Sequence, residues 1–89
     1  MVNKNNVIHD KKIINHLFTV NTMRCYILLI ARDCNITHSI CARRIQLLID
    51  NGFIEAYRTC KNANRKFCRL TEKGLILYEY LSVGEFKNG

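Results

Sequence analysis

The sequence predicts an α+β fold: a three-helix core, a two-stranded β-hairpin and a closing C-terminal helix. Three observations carry this reading. First, Cys41, Ile45 and Leu48 recur at i, i+4 and i+7, an apolar stripe at helical spacing, while the opposite side carries Ser39, Ala42, Arg43 and Gln46. Second, Asn51-Gly52 stops that helix and is followed by two extended runs, 53–58 and 66–71, joined by the polar, cationic stretch Thr-Cys-Lys-Asn-Ala-Asn-Arg. Third, Leu70-Thr71-Glu72-Lys73-Gly74 turns the chain into a last helix. There Thr71 is placed to cap and Glu72 sits in the first turn, where the helix dipole favours an acid.

The remaining elements follow in order. Residues 1–9 are polar and read as a loose N-terminal segment ahead of a domain spanning 10–83. Asp10 is a candidate N-cap for helix 1, whose Ile13, Ile14, Leu17 and Phe18 share a face. The pattern loses phase near Val20-Asn21-Thr22, where Asn or Thr offers a cap for helix 2. That helix points Tyr26, Ile27, Ile30 and Ala31 at the core, although part of 24–27 also reads as extended. Asn35-Ile36-Thr37 makes the turn to helix 3, with Ile36 as its apolar plug and Thr37 as cap. The closing helix, 72 to about 83, is apolar on more than one side, which suggests a partner surface. Residues 84–89 read as a loose tail.

Eighty-nine residues suffice for one small domain. The net charge of +7 favours a polyanionic partner, nucleic acid first and a membrane surface second. The charge is concentrated. Between residues 37 and 71, Arg43, Arg44, Arg58, Lys61, Arg65, Lys66 and Arg69 face only Asp50 and Glu55. No apolar segment follows the polar start, and the longest apolar run, 26–31, is too short to span a bilayer, so an intracellular protein without a membrane partner is expected. No Gly-rich phosphate loop, nucleophile elbow or metal-binding helix motif is present, which argues against an enzyme or a cofactor. His9 and His16 read as surface residues.

The five cysteines leave at least one unpaired within a monomer. Cys34, His38 and Cys41 fall at i, i+4 and i+7, but Cys41 belongs to the core stripe and no Cys-x-x-Cys exists, so no metal site is assigned. Cys60 and Cys68 face each other across the hairpin in one of its registers, which would brace it with a disulfide. An intermolecular bond is a further alternative. Buried reduced thiols are the leading reading.

These runs carry a family resemblance. Asn35-Ile36-Thr37, Ile45, and Leu48 to Ile54 resemble the turn, recognition helix and first wing strand of winged helix-turn-helix regulators. Phe67-Cys68-Arg69-Leu70-Thr71-Glu72-Lys73-Gly74 is similar to their second wing strand and the start of their final helix. Small regulators of archaea, including those carried by archaeal viruses and plasmids, share both runs and this size. The resemblance implies a winged-helix transcriptional regulator that binds double-stranded DNA as a homodimer. Helix 3 would then enter the major groove, with Ser39, Ala42, Arg43 and Gln46 outermost and His38 and Arg44 on the flanks. Arg43 would grip a guanine, Gln46 an adenine, and Arg44 a phosphate. Thr37 and the helix N-terminus would offer N–H groups to a phosphate. The wing would lay Lys61, Asn62, Asn64, Arg65 and Lys66 on the backbone or in the minor groove, with Arg58 and Arg69 at its base. Dimerisation would use Leu75, Ile76, Tyr78 and Leu81. A protein-docking module or an RNA binder using the same basic face is the rival expectation.

Overall fold

The computed structural model describes residues 4–20, 24–58 and 66–88, with side chains over 6–20, 24–58 and 66–82. Its elements run α1 (Lys4–Thr19), α2 (Ile27–Cys34), α3 (His38–Asp50), β1 (Ile54–Tyr57), β2 (Phe67–Leu70) and α4 (Glu72–Asn88). This is the three-helix, hairpin and closing-helix order that the sequence predicts. β1 and β2 pair antiparallel, with Ile54 opposite Leu70 and Ala56 opposite Cys68. Among the described residues no helix is long and apolar enough to cross a membrane.

The core lies where the helices meet the sheet. Ile13 and Ile14 of α1, Ile30 of α2, Cys41 and Ile45 of α3, and Ile54 of β1 are sealed from solvent. Burying branched aliphatics of this size contributes about 1.5–3 kcal/mol each. Cys41, Ile45 and Leu48 form the buried stripe of α3, at the positions their spacing predicts. Ile36 plugs the turn below α3 and is also buried.

Two helix boundaries differ from the sequence reading. α1 begins at Lys4, so residues 4–9 are its first turns and Asp10 is an interior residue. No Gly or Pro interrupts 4–9, and once the apolar half of a helix is held by packing, each added turn costs little. α4 likewise continues to Asn88, through Gly84, where a helical glycine costs only about 1 kcal/mol relative to alanine.

The start of α2 follows the alternative in which part of 24–27 is extended. Its N-cap is Tyr26, in an extended conformation and without a side-chain cap, while Asn21 and Thr22 lie outside the described residues. Tyr26 is extended because it forms an antiparallel bridge with Phe67, and Cys68 N–H donates to the Cys25 carbonyl at 2.7 Å. β2 is thus flanked by β1 on one side and by the chain just before α2 on the other. The Tyr26 and Phe67 rings pack T-shaped with centres 5.8 Å apart, and the Tyr57 ring centre lies 6.1 Å from that of Phe67.

The histidine reading also changes. His16 is buried on the inner side of α1 and its Nε2 has no hydrogen-bond partner; His9 is half-buried with Nδ1 in the same state. The sequence reading places both on the surface because histidines in such a helix are more often surface residues than bases. His16 lies three residues after Ile13, so helical periodicity carries it inward with that face.

Candidate nucleic-acid interface

The turn into α3 is fixed locally. Asn35 ends α2 in the left-handed conformation, at φ 57°, which asparagine tolerates better than most residues, and its N–H donates to the Arg32 carbonyl at 3.2 Å. Ile36 N–H donates to Ala31 at 2.9 Å. Thr37 Oγ1 then accepts from Ile40 N–H at 3.4 Å, so the predicted cap is in place.

At the far end, Gly52 adopts φ +81°, a conformation that costs a residue with a Cβ. The turn after α3 is gripped by the start of α4. Thr71 N–H donates to Phe53 O at 3.1 Å, the Thr71 hydroxyl donates to Gly52 O, and Lys73 Nζ donates to Asn51 O at 2.7 Å while lying 4.6 Å over the Phe53 ring. Gly74 N–H closes the cap onto Thr71 Oγ1 at 3.1 Å. A Cβ on Gly74 would stand 2.1 Å from Phe53 O, a backbone atom, so only glycine fits there. The Leu-Thr-Glu-Lys-Gly run is therefore a clasp that fixes α3, the hairpin and α4 to one another.

On this frame the predicted reading residues separate into three groups. His38, Ser39, Arg43 and Gln46 are exposed along one side of α3, with Ala42 half-exposed among them. Gln46 Nε2 donates to Asp50 Oδ1 at 2.9 Å, which holds the amide along the helix. Arg43, Arg58 and Lys66 are exposed and form no ion pair with another described residue. Thr37 is exposed at the helix N-terminus.

The second group is already engaged. Arg44 Nε and Nη2 donate to the two oxygens of Asp10 at 2.8 and 2.7 Å, with both side chains about four-fifths buried. The hydrogen bond to Asp10 raises the Arg44 pKa above its ordinary value, against a smaller lowering by burial. The pair joins α3 to α1, and Asp10 is an interior residue of α1 rather than the helix cap expected from sequence. Arg69 is paired with Glu55 directly across the hairpin, and its guanidinium lies 4.6 Å from the Tyr57 ring centre. Its charge is partly neutralised within the wing. Neither ion pair was visible in sequence, because 34 and 14 residues separate the partners.

The third group, Lys61, Asn62, Asn64 and Arg65, lies outside the described residues, as does Cys60. Its proposed partner Cys68 is buried opposite Ala56, four residues before Cys60. Cys25, Cys34, Cys41 and Cys68 are all buried and reduced. Burial, which disfavours a thiolate, pushes Cys41 up to about 12 and Cys68 to about 11, with neighbouring thiols adding to both. Cys34 is raised by burial and by Asp33, opposed by Lys12. No cluster of three or more His, Cys, Asp or Glu suited to a metal occurs among the described residues.

The apolar side of α4 is placed similarly. Leu75, Ile76 and Tyr80 are 43%, 63% and 76% exposed. Tyr78 is half-buried and stacks on Phe18 of α1 with ring centres 3.9 Å apart, and Leu81 is half-buried. Tyr80 is the more exposed aromatic.

No protein-family model matches this chain, and no curated protein sequence does. Solved structures do. MepR, a transcription regulator of the Staphylococcus aureus multidrug efflux pump MepA, superposes with a TM-score of 0.77 at 18% identity over 90% of this chain and 59% of MepR. The S. aureus MepR–DNA complex superposes with a TM-score of 0.73 at 19% identity, covering 84% of this chain and 60% of that one. The PcaV transcriptional regulator from Streptomyces coelicolor, solved with its natural ligand, gives 0.75 at 20% identity over 83% and 51%. This chain thus spans between half and three fifths of the length of the proteins it resembles. What it shares with them at this identity is the fold, the winged helix-turn-helix.

Proposed function

We propose that this chain is a sequence-specific, double-stranded-DNA-binding regulator of transcription that acts as a homodimer. In this reading α3 lies in the major groove, Arg43 and Gln46 contact base edges, and the hairpin rests on the backbone or in the minor groove. The observation that carries it is the outer side of α3. A polar strip of His38, Ser39, Arg43 and Gln46 is left uncovered, with Arg58 and Lys66 exposed at the hairpin base. The same fold is seen in MepR on DNA. An exposed arginine with no ion pair among the described residues fits a guanine edge bidentately, whereas a face built only for solubility needs no such group. The exposed Leu75, Ile76 and Tyr80 of α4 support a second copy as partner, which would set two α3 helices about 34 Å apart on a two-fold site. The finer resemblance, to small regulators of archaea and their viruses, and an intracellular, non-enzymatic role belong to the same proposal.

Selection from a pool of random duplex DNA at two salt concentrations tests it. The expected product is a two-fold motif that loses definition at fixed positions when the selection is repeated with Arg43→Ala. Binding without any motif would reduce the protein to an electrostatic DNA binder. No binding at either salt would favour an acidic protein partner, and preference for RNA over duplex DNA would move the assignment there.

A further inference from the structure

The bridge between Tyr26 and Phe67 is antiparallel, so its register sets Cys25 directly opposite Cys68, and Cys68 N–H already donates to Cys25 O at 2.7 Å. Directly opposed residues on adjacent antiparallel strands project to the same face. In a hydrogen-bonded pair such as this the Cα atoms typically stand about 5.5 Å apart, inside the range that disulfides span. Both side chains are sealed in the core, at 1% and 2% exposure. We propose that Cys25 and Cys68 form a redox-active dithiol that closes to an intramolecular disulfide, stapling the wing's inner strand to the chain ahead of α2.

The other thiols are placed differently. Cys34 Sγ donates weakly to Lys12 O at 3.5 Å, and Cys41 Sγ lies 3.9 Å from Ile27 O. They sit on different helices with no shared strand register, and although Cys41 neighbours both Cys34 and Cys68, no backbone pairing sets it opposite either. The sequence-level candidate, Cys60 with Cys68, is disfavoured because β2 places Ala56 opposite Cys68. Cys25 Sγ now points at Val20 O, 3.7 Å away, and must turn from it to reach Cys68.

The oxidant this step takes is a low-molecular-weight disulfide. One protein thiolate attacks it, forming a mixed disulfide and releasing one small thiol. The second protein thiolate then displaces the other small thiol. In all, the protein loses two hydrogens and two electrons, one S–S bond forms within it, the small disulfide's S–S bond breaks, and two small thiols leave with the protons. Burial holds Cys68 protonated, with a pKa near 11, so the first attack waits on opening of the pairing. That opening is local. β2 is held to β1 by a four-residue ladder but to residue 26 by a single bridge, so the Cys25 side is the edge that yields first.

The test uses the full reduced chain, treated with oxidised glutathione under native conditions, then alkylated in denaturant and cut with trypsin. Cleavage separates Cys25 in peptide 25–32, Cys68 in 67–69, Cys60 in 59–61, and Cys34 with Cys41 in 33–43. The expected product links 25–32 to 67–69, reverts with dithiothreitol and forms equally in Cys60→Ser. Because the bond closes a long loop, the linked chain should melt on the order of 10 °C above the reduced one. A link from Cys68 to Cys60, glutathione adducts without a 25–68 link, or complete alkylation of all five cysteines each overturns the proposal. So does a 25–68 link that forms only in denaturant or that lowers the melting temperature.

Discussion

Helices α3 and α4 each bury one side in the same core, yet what they leave uncovered is opposite in chemistry. α3 shows solvent His38, Ser39, Arg43 and Gln46, groups that lose little by staying wet and gain by meeting an anion or a base edge. α4 shows Leu75, Ile76 and Tyr80, which water penalises and another apolar surface would relieve. A helix that must hold itself to a fold needs only one apolar side. On the proposed function the second apolar side of α4 would receive a partner and the bare side of α3 would meet nucleic acid. The two surfaces are held in one geometry by the clasp of residues 71–74 on residues 51–53.

The sharpest way to break this comparison is to open the clasp. Gly74→Ala puts a methyl 2.1 Å from the Phe53 carbonyl, a contact that forces backbone to move. Overpacking against rigid backbone costs at the upper end of the usual range, so a loss of about 3 kcal/mol or more is expected, read as a fall in melting temperature of at least about 10 °C. A Gly74→Ala chain that melts within about 2 °C of wild type would show that α4 is not seated as described.

The second test addresses the outer side of α4 alone. Ile76→Glu replaces the most exposed aliphatic of the patch with a charge, which leaves the folded monomer's stability within about 0.5 kcal/mol because the site is already wet. If this side receives a second copy, desolvating two carboxylates in the interface weakens self-association by about 2 kcal/mol or more, roughly 30-fold in the dimer constant. Sedimentation over a concentration series reads the change. An unaltered dimer constant would remove α4 from the interface and leave its apolar side without this explanation.

How much of this was legible in sequence depends on the range of each interaction. The α3 stripe, the Thr37 and Thr71 caps and the Gly52 stop are short-range, set by spacing and by single-residue conformational preferences, and the structure has them where the sequence put them. The clasp was legible as a motif, but its physical reason was not, since Gly74 is required by a carbonyl 21 residues earlier. The Asp10–Arg44 and Glu55–Arg69 pairs, the Phe18–Tyr78 stack and the Tyr26–Phe67 bridge depend on how distant segments meet. Spacing alone shows every cation near α3 and the hairpin as available, whereas among the described residues Arg44 and Arg69 have acidic partners within the fold.

Arg43 and Arg44 turn that lesson into the finest test, because adjacent residues of one type should fail in different ways. Arg44→Ala strips the partner from a largely buried Asp10, so a stability loss of about 1–3 kcal/mol is expected in denaturant unfolding, with little change in how duplex binding responds to salt. Arg43→Ala should leave stability within about 0.5 kcal/mol and instead cost about 1–3 kcal/mol of binding at the selected site, sharpest for one base position. A drop of about one in the slope of log affinity against log salt for Arg44→Ala would mean that the guanidinium leaves Asp10 for a phosphate when DNA is present. The Asp10 pair would then be a resting position of a DNA contact. Equal stability losses from both variants would instead place Arg43 in the scaffold and empty the outer side of α3 of its principal reader.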